Sequence, residues 1–146
     1  MQHRFYNAAN CSGIAPINEK YSQIADPIAL YDLLTEIWSE NTCAPRLRSN
    51  WSTGNPTVGQ CSITAFLAQD IFGGQVWGIL RPGGTYHCFN IVKGVSFDLT
   101  SEQFGVERLD YLSAVPQSRD VHFEKEEKLQ RYLTLKAGLE KALDIS

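Results

Sequence analysis

Leu30, Leu33, Leu34, Ile37 and Trp38 recur at three- and four-residue spacing, the period of a helix with one apolar stripe. Asp26 supplies an N-cap and Pro27 suits the first helical position, so the spacing predicts a helix that ends near Glu40. Residues 46–59 gather Gly, Pro, Asn and Ser and read as a loop. From 60 to 72 the chain turns apolar almost all round, with Ile63, Phe66, Leu67, Ile71 and two alanines. That is the pattern of a central, buried helix, stopped by Gly73-Gly74. The period then changes to two. Strands are expected over 75–80, 85–92 and 95–99, joined by Arg81-Pro82-Gly83-Gly84 and the tight Lys93-Gly94 turn. Thr100 or Ser101 caps a short helical turn through Phe104. Residues 105–122 hold no clear period, and Pro116 breaks what precedes it. A last helix is expected over 124–143, with Leu129, Tyr132, Leu133, Leu139 and Leu143 on its apolar side and a solvated Glu/Lys face opposite.

Residues 1–25 show no sustained periodicity and read as an irregular arm on the surface, leaving 26–146 as a single domain. Helix, buried helix, three antiparallel strands and a helix make an α+β fold, with the residue 60–72 helix packed on a small sheet. At 146 residues the chain suits one domain and can hold a core without disulfides or metal. Its 43% apolar and 20% charged residues are those of a globular protein. A net charge of −3 lacks the electrostatic footprint of a nucleic-acid binder or of a polybasic membrane patch. No secretory apolar region or bilayer-length run is found, so cytoplasmic residence without a membrane is expected. Cys11, Cys43, Cys61 and Cys88 are dispersed, with no C-x-x-C pair. They read as free thiols rather than as a disulfide framework, a zinc ribbon or a redox pair.

Cys61 is distinguished by its position. The simplest reading of a free cysteine is a small buried hydrophobe, but this one follows a glycine-rich loop and opens a helix. A thiol there meets unpaired N–H groups and the positive end of the macrodipole, which favour the nucleophilic thiolate. The same N–H groups can stabilise an oxyanion. A two-residue Lys93-Gly94 loop pairs Val92 with Val95 and Phe89 with Asp98. His87, two residues before Phe89, then shares a sheet face with Asp98, within reach of a hydrogen bond. A carboxylate that holds an imidazole beside a thiol is the logic of a cysteine nucleophile. Asn90 has the opposite parity and reads as structural, and Cys88 points away from His87. His3 and His122 read as surface residues.

The run Trp51-Ser52, Asn55-Pro56, Gly59-Gln60-Cys61, Thr64-Ala65, Asp70 and Gly73-Gly74 resembles the YunG-like family of small, uncharacterised bacterial proteins. So do His87 with Phe89-Asn90, Asp98-Leu99-Thr100, Gln103-Phe104, and Arg131-Tyr132 with Leu135. The order of Cys at a helix start, His on a strand and Asp on the next is more distantly similar to papain-like and transglutaminase-like cysteine enzymes. That resemblance implies a papain-like core with Cys61 as nucleophile, His87 as base and Asp98 as orienting group. Papain-like enzymes place a glutamine a few residues before the cysteine as oxyanion donor; here Gln60, immediately adjacent, and Asn55, six residues upstream, are the candidates. Trp51 is a candidate wall of the cleft. The expected activity is a cysteine hydrolase or acyl-transfer enzyme acting on an amide, isopeptide or thioester bond of a small-molecule or peptide substrate, with no cofactor and no metal. Two alternatives stand beside it: a non-enzymatic papain-like binding module, and a zinc site built from Cys61, His87 and Asp98.

Overall fold

Asp26 starts the first helix as its chemistry demands. Its carboxylate accepts from the Ala29 amide at 2.9 Å, with Pro27 in the first turn, and α1 runs Pro27–Leu34 in the computed structural model, which describes residues 5–145. His3 lies outside the described residues. The helix stops short of Glu40 because Thr35 turns its hydroxyl back on the Asp32 carbonyl and the backbone tightens, with Ile37 donating to Leu34. The tightened turns keep the helical spacing, so Trp38 still lies on the buried stripe with Leu30 and Leu34.

α2, Cys61–Phe72, is the centre of the fold, and nine of its twelve residues are buried. Its N-cap is Gln60, and Gly73 at φ 79° ends it. Strands β1 (Gln75–Leu80), β2 (Tyr86–Val92) and β3 (Val95–Phe97) follow as an antiparallel meander. A fourth strand not visible in the sequence pattern, β4 (Val115–Pro116), pairs with β1, giving the order β3-β2-β1-β4. Pro116 sits on the sheet's edge, where the missing amide disrupts no interior ladder. The fold is thus mixed α+β with a small four-stranded antiparallel sheet. The register pairs Val92 with Val95 and Asn90 with Phe97, the two-residue hairpin expected from Lys93-Gly94.

The two sheet faces are covered differently. α2 packs on β2, held by Asn90, whose side-chain amide donates to the Ala65 carbonyl at 2.8 Å. The face bearing His87 and Phe89 is covered instead by the stretch after β3. There Phe104 meets the His87 ring edge-on at 4.7 Å, and Tyr111 meets Phe89 at 4.9 Å.

The final segment divides into α3 (Arg119–Phe123) and α4 (Glu126–Ala142). Tyr132, Leu135, Leu139 and Leu143 are the buried stripe behind α2, whereas Leu133 is exposed. Leu133 is only one residue from Tyr132, about 100° around the helix. Arg131 on α4 is buried, lies against Glu127, and donates to the Thr42 and Gly59 carbonyls at 3.0 and 3.5 Å. The irregular residues 5–25 place Phe5, Cys11, Ile14, Tyr21 and Ile24 in the same core, so they are more than a surface covering.

Gly59 has φ 72°, and a Cβ there would lie 2.5 Å from the Cys43 sulfur and 2.9 Å from the Ala44 nitrogen. Gly59→Ala is therefore expected to cost about 1–3 kcal/mol of stability, the scale of local backbone strain. Urea denaturation of the two proteins checks this through the midpoint at unchanged slope.

Candidate functional site

Cys61 occupies the first turn of α2, where main-chain N–H groups have no intrahelical partner. Its sulfur lies 3.9 Å from the Tyr86 carbonyl oxygen, at the start of β2, and is partly exposed. His87, the next residue along, is 2% exposed. Its Nε2 donates to Asp98 Oδ2 at 2.6 Å. Its Nδ1 is buried without a hydrogen-bond partner, and the Cys61 thiol lies close enough to His87 for each to shift the other's protonation.

Asp98 is wholly buried at 0% exposure, and its oxygens are all engaged. Oδ2 also accepts from the Tyr111 hydroxyl at 2.7 Å, and Oδ1 accepts from the Thr100 amide and hydroxyl at 3.2 and 3.4 Å. Tyr6 backs the same residue: the Asp98 amide donates to its carbonyl, and its ring stacks on Tyr111 at 3.8 Å. Burial disfavours a charged imidazole, but the Asp98 carboxylate and then the thiol outweigh it, and His87 is held up at about 10.

The Cys61 thiol is held well below its ordinary value. The Cys88 thiol contributes most by donating to its sulfur, burial opposes, and the His87 imidazole adds to the lowering. Cys88 is pushed well up for the complementary reasons: its proton is held by Cys61, and it is buried. Cys11 and Cys43 are both raised, chiefly by burial, Cys11 to about 12. Cys61 is thus the thiol pushed toward its anion, and His87 the group pushed toward its cation.

A cleft of about 430 Å³ opens onto Cys61 and His87, walled by residues 46–50, the β1–β2 turn and Phe104. The three accessory candidates do not line it. Gln60 is fully buried, with its side-chain amide donating to the Ser39 carbonyl and its Oε1 unpartnered. The Asn55 amide donates to the Glu102 carbonyl, and the Trp51 indole to the Pro56 carbonyl. Trp77 is also away from it, donating to Gln75. The lining amides are those of Asn50 and Gln103, whereas the Gln60 side chain makes no cap bond to the first turn and is turned to the Ser39 carbonyl instead.

His122, expected on the surface, is half-buried behind Cys88. It donates from Nε2 to Gln117 Oε1 and accepts from Lys128 at Nδ1, each at 2.8 Å. Burial and the lysine charge hold it down at about 4, so it is a neutral packing element. Among the described residues no group of three His, Cys, Asp or Glu side chains is arranged to hold a metal ion. The oxygens of Asp98 are already committed. A larger cavity of about 540 Å³ lies beyond Tyr111, lined by Tyr6, Glu102 and Arg108 among others, and holds neither Cys61 nor His87.

The family model described as YunG protein matches residues 26–144, from the N-cap of α1 to the end of α4 and across every residue of the Cys61–His87–Asp98 set. The chain belongs to the YunG family. The protein is 35% identical over 91 residues to the uncharacterized protein YunG of Bacillus subtilis (strain 168), which spans 62% of this chain and 72% of that relative. No solved structure matches it. No helix among the described residues of this YunG family member is long and apolar enough to cross a membrane.

Two outcomes follow from the proton placement. Cys88→Ala removes the main donor to the Cys61 sulfur, so the apparent pKa of Cys61 alkylation should rise, read by mass spectrometry of the labelled peptide against pH. For stability, the folded pair keeps one proton between the lowered titration of Cys61 and the raised titration of His87. With ordinary values of 6.5 and 9.0, the unfolded pair holds two protons below 6.5, one between, and none above 9.0. The pair's contribution therefore grows as pH rises toward 6.5, stays level to 9.0, and falls above it as His87 approaches its own value of about 10. Urea stabilities of the parent minus those of a Cys61→Ala/His87→Ala double variant, taken from pH 5 to 10, should trace that plateau. A steady slope through pH 7 to 8 contradicts the placement.

Proposed function

We propose that this protein is a cysteine hydrolase or acyl-transfer enzyme with a papain-like core, acting on an amide, isopeptide or thioester bond. The observation that carries the reading is the division of labour on one imidazole. Nε2 of His87 is committed to the buried Asp98, while Nδ1 has no hydrogen-bond partner and the nearby Cys61 thiol is held low. A histidine kept merely for packing satisfies both nitrogens, as His122 does. A carboxylate that fixes the ring and a thiol at its other nitrogen are the parts of an activated nucleophile.

With the proton already on His87, Cys61 needs no base to begin. The thiolate attacks the carbonyl carbon, and the S–C bond forms as the carbonyl π pair moves onto oxygen. The first N–H groups of α2, Cys61's own among them, are the donors available to that oxyanion. The intermediate collapses with loss of the amine or thiol, which takes the Nδ1 proton of His87. Water, or an amine in acyl transfer, then attacks the acyl-cysteine and gives a proton back to Nδ1. Breaking the S–C bond restores the thiolate and imidazolium. Asp98 holds the ring in the orientation that serves both steps.

The test is the pH profile of Cys61 alkylation in the parent and in His87→Ala, with intact-mass analysis after exposure to a panel of simple acyl thioesters. The parent profile should lie well below the roughly 8.5 of a free cysteine and shift upward in His87→Ala. One acyl group should be retained on the parent and none at this position in Cys61→Ala, with the circular dichroism melt of each variant confirming folding. An ordinary thiol profile, or no acyl adduct from any thioester, overturns the reading.

A further inference from the structure

The wall facing the Cys61–His87 pair has a charge that the chain as a whole does not. The protein carries −3, yet the residues lining the cleft include Arg46 and Arg81 and no aspartate or glutamate. The two arginines differ. Arg81 is paired through its guanidinium with both carboxylate oxygens of Glu107, at 2.9 and 2.8 Å, and lies over the Phe104 ring at 4.7 Å. Its charge is offset and it is held as part of the wall. Arg46 sits near the start of the 3-10 helix Pro45–Asn50, is exposed, and has no side-chain hydrogen bond or ion pair among the described residues. Arg48 of the same turn is engaged differently, donating to the Glu40 and Cys43 carbonyls. Arg46 is therefore the cation of the cleft whose charge no group among the described residues answers. Asn50, Thr85 and Gln103 line the same space and add polar groups around it.

We infer that the cleft takes a substrate bearing a carboxylate close to its reacting carbonyl, with Arg46 as the residue that binds that carboxylate. The inference rests on the proposed function, since it names the substrate class of that site. The physical basis is that a guanidinium presents a planar donor fork matched to a carboxylate. The cleft has no acid of its own to compete for it. The negative charge of the whole chain does not oppose such a substrate, because surface charges more than about 8–10 Å away are largely screened at physiological salt.

Two alkylating agents of nearly the same size separate the questions. Iodoacetamide is neutral and iodoacetate carries a carboxylate one carbon from the reacting centre. The rate of each at Cys61 is measured in the folded protein and in the urea-unfolded chain, with the other thiols resolved by mass spectrometry. The ratio of iodoacetate to iodoacetamide rates should be higher in the folded protein by up to roughly fivefold, the ceiling for an exposed ion pair. It should fall toward the unfolded value in Arg46→Gln, persist largely in Arg46→Lys, and decline in high salt. A folded-state ratio equal to that of the unfolded chain, or one that Arg46→Gln leaves unchanged, overturns the inference even if the thiol is reactive. An ordinary pH profile with iodoacetamide alone overturns the cysteine-nucleophile reading beneath it, a different failure that the neutral reagent reports by itself.

Discussion

A carboxylate with no exposed surface is the constraint around which half of this molecule is arranged. Removing Asp98 from water costs several kcal/mol unless its charge and lone pairs are answered. They are answered from four directions: the His87 ring at 2.6 Å, the Tyr111 hydroxyl at 2.7 Å, and the Thr100 amide and hydroxyl. Each partner commits a piece of chain. Thr100 turns the backbone into the 3-10 turn that brings Phe104 onto His87. Tyr111 fixes the stretch that covers the sheet face away from α2, and Tyr6 stacks on it from the arm. Loss of the carboxylate would leave a buried imidazole and a half-buried phenol without their acceptor, so structural and electrostatic consequences share one origin.

The four cysteines show how environment, not residue type, decides which is held toward its thiolate. Cys11 and Cys43 are buried among groups that give no stabilisation sufficient to offset desolvation, and both are pushed toward the thiol. Cys88 is buried as deeply and spends its proton on its neighbour. Cys61 has the same intrinsic chemistry but stands where helix, strand and cleft meet. It has a donor thiol on one side and a charged imidazole on the other. Arg131 and Gly59 secure that position from behind. The guanidinium takes the carbonyls of Thr42 and Gly59, and the absent Cβ of Gly59 lets the loop close on Cys43 immediately before the helix begins.

Much of this was legible where local rules act alone. The Asp26-Pro27 cap, the apolar run of α2 and the Lys93-Gly94 hairpin are each set within a few residues. The hairpin parity then carried His87 and Asp98 onto one face. What was not legible depends on distant partners. β4 is two residues long and exists because β1 offers an edge, so residues 105–122 show no period of their own. Tyr111 became part of the site through that same stretch. Gln60 and Asn55 have the right chemistry near Cys61, but their donors are claimed by Ser39 and Glu102, residues 21 and 47 positions away. Leu133 and Leu135 are both leucines near the helix stripe, and only phase separates the exposed one from the buried one.

The site divides into a rigid part and an accessible part, and the two are built differently. His87 and Asp98 lie on sheet and strand end, buried and fully bonded apart from one ring nitrogen, which suits groups that must keep orientation through a proton cycle. The walls are a 3-10 turn, a hairpin loop and an exposed arginine, elements with few buried contacts and low cost of change. Substitutions at 46–50 or 81–85 would therefore act first on which molecules reach Cys61, because none of those side chains hydrogen-bonds Asp98 or His87 among the described residues. Conversely, a change at Thr100 or Tyr111, remote from any ligand in the cleft, acts on Cys61 through the carboxylate and the ring. On the proposed function, chemistry would rest on the buried groups and selectivity on the exposed ones.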